Sequence, residues 1–275
     1  MSKKISIVTI NYNDKEGLLQ TIESVIGQTW QDFEFLVIDG GSTDGGKELL
    51  EQYKSHIDYG ISEPDKGVYN AMNKGIRAAT GEFIIFMNSG DQFYKADVLE
   101  RVQAALTNEF GIYYGDVVIK NPNSERHKHY PKKLSFSYFY TGALCHQSCF
   151  IKRSLFEEYF YYNEDYKIYS DGEFFIYTIC AKNVPYKHLG ATISIYDFTG
   201  ISSNPKYSVI HDSERIQSIS KYFPLFAEDY KVLSKLNSKR TQQLFYIEKY
   251  SFAWKLLKLF MNIELYFLPK KRRRS

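Results

Sequence analysis

The stretch that most constrains this chain is Phe83-Ile84-Ile85-Phe86-Met87 followed by Asn88-Ser89-Gly90-Asp91. Five consecutive apolar residues are too few for an ordinary helix, and their composition suits a strand buried on both faces. The run stops abruptly at a polar turn. In an open α/β sheet, ligands bind just beyond the carboxyl ends of the strands, so Asn88 and Asp91 are expected to face the crevice. A carboxylate there suits a hard divalent cation that bridges phosphate oxygens. The same four residues are also common turn formers, which is the plain alternative.

The residues upstream repeat this layout. Ile5–Ile10 reads as a first strand and ends at Asn11-Tyr12-Asn13. Leu18, Leu19, Ile22, Val25 and Ile26 then recur at helical spacing, with Asn13 as N-cap, Glu16 as its capping-box partner and Gly27 as the stop. Phe33–Ile38 is a second strand with Asp39 at its carboxyl end, and the turn Gly40–Gly46 leads into a helix carrying Leu49, Leu50 and Tyr53. Ile57–Ile61 is a short third strand, which Pro64 prevents from continuing. From Val68 a helix places Ala71, Met72, Ile76 and Ala79 on one side and Asn70, Asn73, Lys74 and Arg77 on the other. Such β-α-β-α alternation predicts a parallel sheet covered on both faces. A length of 275 residues allows one large α/β domain or a domain with an appendage.

Several functional classes lack their signatures. The position after the first strand carries no G-x-G-x-x-G, and there is no P-loop. The Gly-rich, Arg-containing loop of a sugar nucleotidyltransferase is missing too. Asp39 remains as a possible acceptor for a base imide N–H, or as a cap for the Ser42–Asp44 turn. The net charge of +3 comes from Lys270–Arg274, without which the chain is −2, so the body is not expected to bind nucleic acid. Three cysteines without a regular framework point to a reducing compartment and no disulfide scaffold. With no signal-peptide pattern and no apolar stretch of membrane-spanning length, a cytoplasmic protein is expected, in contact with membrane at most peripherally.

In the second half, Asp97–Leu106 reads as a helix, Gly111–Lys120 as a strand, and the polar Asn121–Tyr130 as a loop. Phe136, Tyr138, Phe139 and Tyr140 are either an aromatic stacking platform or core. Tyr186–Tyr196 is a further strand, and Val209–Tyr222 a helix to which no chemistry is assigned. From Gln242 to Leu268 aromatic and aliphatic residues crowd around Lys249, Lys255 and Lys258, ahead of the basic run. This suits an interfacial membrane anchor. A helix packed on the body with a solvated tail is the alternative. The expected division is a domain over 1–205, with halves 1–91 and 92–205, and a helical extension over 206–275.

Four stretches, Ser6–Asn13, Val37–Gly45, Ser62–Gly75 and Gly81–Asp91, resemble in order and spacing the nucleotide-binding half of a family 2 glycosyltransferase. The resemblance implies a GT-A fold: a Rossmann-like, mostly parallel central sheet flanked by helices, with a C-terminal helical extension. It also implies transfer of a sugar, with inversion, from a nucleotide-diphosphate donor to an acceptor hydroxyl. By the same resemblance Thr9, Asn11 and Asn13 line the nucleotide pocket, Asp39 contacts the base, and Lys66, Asn73 and Arg77 lie near ribose and phosphates. Asn88, Ser89, Gly90 and Asp91 occupy the place of the acidic metal motif, with Asp91 as ligand and a neutral Asn88 where the family carries an acid. The cofactor is then Mn²⁺ or Mg²⁺. His146 and Gln147 face the active site, and Asp197–Ser203 is similar to the family's closing loop.

An inverting transfer needs one general base and a charge to neutralise the departing diphosphate, but no second carboxylate nucleophile. The resemblance assigns the base to Asp171, at the start of an apolar helix, with Glu173 as substitute and a simple N-cap as alternative. The implied partners are a nucleotide sugar and a saccharide or polyprenyl-diphosphate-linked acceptor, in surface or capsular polysaccharide assembly. UDP is favoured because Asp39 suits a uracil imide, and GDP stays open. A non-catalytic nucleotide-sugar-binding or membrane scaffold protein is the contrasting possibility.

Overall fold

A computed structural model describes residues 3–121, 124–198, 200, 204–236 and 238–269. Lys270–Arg274 and most of the expected closing loop (199 and 201–203) lie outside the described residues. Residues up to Tyr222 form one compact unit and those from Phe223 a second.

The first unit begins with β1 (Ile5–Asn11), buried throughout because both sheet faces are covered. It continues through α1 (Lys15–Ile26), β2 (Phe33–Asp39), α2 (Gly46–Gln52), β3 (Tyr59–Ser62), α3 (Val68–Ala78) and β4 (Phe83–Phe86). The strands lie parallel in the order β3-β2-β1-β4. The register puts Asn11 beside Asp39 and Asp39 beside Ser62, so polar residues gather where these strands end. Ile5, Ile7, Phe35, Val37, Phe83 and Ile85 fill one face of the sheet against Leu18, Ile22 and Val25 of α1 and Leu49 and Leu50 of α2. Each such side chain contributes roughly 1.5–3 kcal/mol by leaving water. On α3, Gly75 sits so close to β1 that an added Cβ would lie 2.4 Å from Val8 Cγ1.

The cap of α1 differs from expectation. Asp14, not Asn13, is the N-cap, and its Oδ1 accepts from the Gly17 N–H at 3.0 Å. Asn13 takes a left-handed conformation (φ 51°) that its short polar side chain tolerates, and its Oδ1 accepts from the Thr43 N–H at 2.9 Å.

The chain then forms β5 (Gln92–Phe93), α4 (Val98–Gln103), β6 (Ile112–Asn121), β7 (Ser124–Lys128), α5 (Phe136–Thr141), β8 (Cys149–Lys152), α6 (Ser154–Glu158) and α7 (Ser170–Ile176). A π-helical turn, Tyr177–Ala181, extends α7, and β9 (Tyr186–Asp197) and α8 (Ser208–Tyr222) follow. The sheet continues from β4 as β8-β6-β9-β5 with β7 beside β6. Among the described residues of this half only β6 and β9 pair in parallel, so the sheet is parallel on its first side and mixed on its second. The expected loop Asn121–Tyr130 holds β7, paired with β6 from Asn121↔Ser124 to Val117↔Lys128. Ser-Glu-Arg-His-Lys lacks apolar alternation because it is a charged, largely exposed edge strand.

The second unit contains α9 (Pro224–Leu236), α10 (Lys239–Glu248) and α11 (Ser251–Phe267). The apolar stretch from Gln242 to Leu268 is therefore two helices, broken at Lys249-Tyr250. Along α11, Phe252, Leu259, Phe260, Tyr266 and Phe267 are exposed. Among the described residues no helix is long and apolar enough to cross a membrane. Cys145, Cys149 and Cys180 are unpaired.

Candidate active site

The carboxyl ends of β1, β2 and β3 are tied together by Asp39, which is fully buried. Its Oδ1 accepts from Asn11 Nδ2 at 2.6 Å and Ser42 Oγ at 2.5 Å. Its Oδ2 accepts from the Ser42 N–H at 2.9 Å and Ser62 Oγ at 2.6 Å. Burial alone would raise this carboxyl's pKa, but the hydrogen bonds outweigh it and hold the group below its ordinary value. All four acceptor positions are taken, so Asp39 caps the Ser42 turn, and a base that reached it would have to displace a serine or Asn11. Tyr12, 67% exposed, stands beside this network, 3.2 Å from the position a Cβ on Gly40 would take. It is an aromatic face that the sequence reading left unassigned.

One bond carries the network to the next strand end: Ser89 Oγ donates to Asn11 Oδ1 at 2.8 Å. The loop Asn88–Asp91 is held from α1, where Thr21 Oγ1 donates to the Asp91 carbonyl at 2.8 Å. Gly90 has φ 91° and lies so close to β9 that a Cβ would sit 2.7 Å from Asp197 Oδ2. Only glycine suits both demands.

Asp91 is 2% exposed. Its Oδ1 accepts from the Asp197 N–H at 3.1 Å, and the Gln147 side chain also bonds to it. Burial nevertheless dominates and pushes its pKa up to about 7, against the opposing pull of nearby His146. Asn88 Nδ2 lies 3.1 Å from His146 Nε2, whereas its buried Oδ1 has no protein partner. On the other side of the ring, His146 Nδ1 is 2.9 Å from Asp171 Oδ2. Asp171 Oδ1 accepts from Tyr69 OH at 3.0 Å and from the Gly172 N–H at 2.9 Å. A chain of contacts thus runs from Asn88 through His146 to Asp171.

Asn88, Ser89, Asp91, His146, Gln147 and Asp171 line one cleft, together with Tyr69, Tyr196 and Asp197. Tyr69 was not singled out from sequence, although it stands inside the motif Gly67-Val-Tyr-Asn70. Other expected residues stand elsewhere. Thr9 is buried with its Oγ1 unpartnered. Lys66 and Arg77 are exposed, and the Arg77 guanidinium stacks 4.6 Å above the Tyr161 ring. Asn73 uses its amide within the protein, donating to the Tyr162 carbonyl at 2.8 Å and accepting from the Tyr162 N–H at 3.0 Å. Glu173, the substitute base, is 1% exposed and pairs with Lys221 Nζ at 3.2 Å. Helical geometry turns it away from Asp171, two residues apart not sharing a face.

No three His, Cys, Asp or Glu side chains gather as a cation site among the described residues. Asn88 Oδ1 and the Asp91 carboxylate are nonetheless two oxygen donors in one cleft, the first buried without a partner. Such a pair fits a hard cation that takes its remaining ligands from substrate phosphate and water.

The chain is similar to known proteins in sequence and in fold. A mycobacterial relative, the PGL/p-HBAD biosynthesis glycosyltransferase of Mycobacterium bovis, is 29% identical over 205 residues, which covers 72% of this chain and 78% of the relative. The solved structure of S. aureus TarS 1–349 with UDP-GlcNAc superposes with a TM-score of 0.60 at 16% identity, covering 89% of this chain and 79% of that one. The chain spans 47% of a longer TarS structure. The mannosyltransferase PcManGT from Pyrobaculum calidifontis, solved with GDP-Man and Mn²⁺, has a TM-score of 0.56 at 13% identity, covering 94% and 88%. These neighbours share the fold, a GT-A sheet with its helices. The glycosyl transferase family 2 model matches residues 6–160, a span that holds every strand end described above except that of β9 and all of the cleft motif from Asn88 to Gln147. On that match the chain belongs to glycosyl transferase family 2.

Proposed function

We propose that this glycosyltransferase moves a sugar from a nucleotide-diphosphate donor to an acceptor hydroxyl with inversion, and that Asp171 is the general base. The observation that carries the reading is the setting of Asp171. Its carboxylate lies in the cleft, oriented by Tyr69 and His146, opposite the loop that ends in Asp91. In a single in-line displacement the acceptor hydroxyl gives its proton to Asp171 as its oxygen attacks the anomeric carbon, and the diphosphate departs on the opposite face. Tyr69 and the His146 ring fix the carboxylate so that little reorientation is needed at the moment of transfer. Asn88 Oδ1 and Asp91 would hold a divalent cation, Mn²⁺ or Mg²⁺, which supplies positive charge against the leaving diphosphate. Tyr12 offers a stacking face for the base. Asp39 acts by bracing Asn11 and Ser42 around it.

A UDP-sugar is the first candidate donor, in line with the UDP-GlcNAc bound by TarS. GDP-sugars come second, in line with PcManGT. The acceptor is read as a saccharide, free or polyprenyl-diphosphate-linked, in surface polysaccharide assembly on the cytoplasmic side of a membrane. The donor and acceptor halves, expected within 1–205, would lie in the unit that ends at Tyr222, with the helices from Phe223 as the extension. The exposed aromatic residues of α11, with Lys255 and Lys258 among them, favour peripheral membrane contact.

The deciding experiment is thermal stabilisation by UDP, GDP, CMP and dTDP, each with Mn²⁺, Mg²⁺ or EDTA. A shift with one nucleotide that disappears in EDTA supports the donor site. No shift with any nucleotide overturns it. Turnover with the matching nucleotide sugar, followed by the anomeric configuration of the product, separates an inverting enzyme from a silent scaffold. Sedimentation with anionic vesicles tests the α11 contact.

A further inference from the structure

The helix α8 approaches the site from behind, and one of its side chains grips the segment that carries Asp171. We propose that Glu214 is a positioning residue for the base, an inference that rests on the role of Asp171 given above. Glu214 Oε1 accepts from the Lys167 N–H at 2.7 Å. Its Oε2 accepts from the Ile168 and Tyr169 N–H groups, each at 3.0 Å. Three successive amides converging on one point form an anion-binding concavity, and the protein fills it with its own carboxylate. The group is 9% exposed. A buried charge is tolerated only where hydrogen bonds replace its water, and three N–H donors do so here.

The segment so held is part of the cleft wall, since Lys167 and Ile168 line it beside Asp171. The grip is also two-sided. Ahead of Asp171, Ser218 Oγ bonds to Tyr166 OH at 3.3 Å, and the His211 ring packs edge-on against Tyr169 at 5.2 Å. Beyond it, Lys221 pairs with Glu173. His211 of α8 lines the cavity beside His146 and Asp171, but Glu214 is not among the lining residues, so it acts through the backbone of residues 167–169. An uncharged amide could not repeat the arrangement. Glutamine offers one acceptor oxygen and turns an NH₂ group toward N–H donors.

The test compares Glu214→Gln, Glu214→Asp and, as a structural control on the exposed side of the same helix, Gln217→Ala. Turnover is measured with UDP-GlcNAc, UDP-glucose and UDP-galactose, alongside amide hydrogen exchange of residues 165–173. Glu214→Gln is expected to lower kcat by roughly 10- to 100-fold through misplacement of the base, with donor KM little changed. Glu214→Asp, which keeps both oxygens, recovers part of the loss. Exchange at 167–171 speeds up in Glu214→Gln but not in Gln217→Ala. If Glu214→Gln does not fold, Glu214→Asp is judged by the same split of kcat from KM. A kcat equal to that of Gln217→Ala, equal changes in kcat and KM, or unaltered exchange at 167–171 overturns the proposal. A wild-type enzyme silent toward every donor sinks the transfer reading instead, and exchange alone then decides whether Glu214 holds the segment.

Discussion

Asp39 and Asp91 invite comparison. Both lie at the carboxyl ends of strands in one sheet, and both are shut away from water. Burial works to raise the pKa of each. At Asp39 four hydrogen bonds overcome it, and the carboxyl is pulled below its ordinary value. At Asp91 burial prevails, and the group is pushed up to about 7. One region is finished: every lone pair is matched, and the network of Asn11, Ser42 and Ser62 is a brace. The other is unfinished, with a reluctant carboxylate and, beside it, an unpartnered Asn88 oxygen. A carboxyl in this condition holds its proton to higher pH, and a positive charge placed beside it would favour the ionised form.

That contrast can be broken or sharpened, beginning on the unfinished side. Asp171→Asn should lower kcat by roughly 10²- to 10⁴-fold while UDP binding by calorimetry stays as in the wild type. A mutant that retains most of its turnover would move the base elsewhere. Asp91→Asn should abolish the extra thermal stabilisation that Mn²⁺ gives in the presence of UDP, and lower kcat/KM by roughly 10²- to 10³-fold. Its effect on the free protein is the opposite. A carboxyl whose folded pKa exceeds its unfolded value favours the folded state at low pH, and that contribution is lost as pH rises from about 4 toward 7. Without metal, Asp91→Asn should therefore match or exceed the wild type in stability near neutrality, as urea melts would report.

On the finished side the effect should fall on stability. Asp39→Asn leaves donors such as the Ser42 N–H and Ser62 Oγ poorly matched, at a cost of roughly 2–4 kcal/mol near pH 7. Here the folded pKa is depressed, so the contribution is present above the unfolded value near 4 and is lost as pH falls through the lower folded one. The gap between wild type and Asp39→Asn should close in acid, and a constant gap from pH 7 to 3 would refute the account. Gly90→Ala is expected to cost least, about 1 kcal/mol from the left-handed backbone, plus a displacement of Asp197 visible as weaker UDP binding.

Much of this was legible in the sequence, and the limits have physical causes. Strand runs such as Ile5–Ile10 and Phe83–Met87 advertise themselves, because burial on two faces demands unbroken apolar residues. Asn88 and Asp91 were findable because they follow a strand end, His146 and Asp171 through the family resemblance, and the structure brings these four into one cleft. The strand β7 was not, since an edge strand with charged side chains has no apolar period. Nor were the partners of Glu173, Asn73 and Glu214. A carboxylate on an amphipathic helix looks the same in sequence whether it faces water or three backbone amides, and the partner that decides lies dozens of residues away.

The order of the strands also bears on how the protein is made. By the time residue 91 leaves the ribosome, β1 to β4 can pair in parallel, but the outer edge of β4 has no neighbour. Its partner is β8, through Phe83↔Lys152 and Ile84↔Ile151, and is translated much later. During that interval the nascent chain presents an apolar strand edge that other chains can pair with. A donor half cut free at residue 91 would keep that edge permanently, and its natural fate is aggregation rather than an independent nucleotide-binding module.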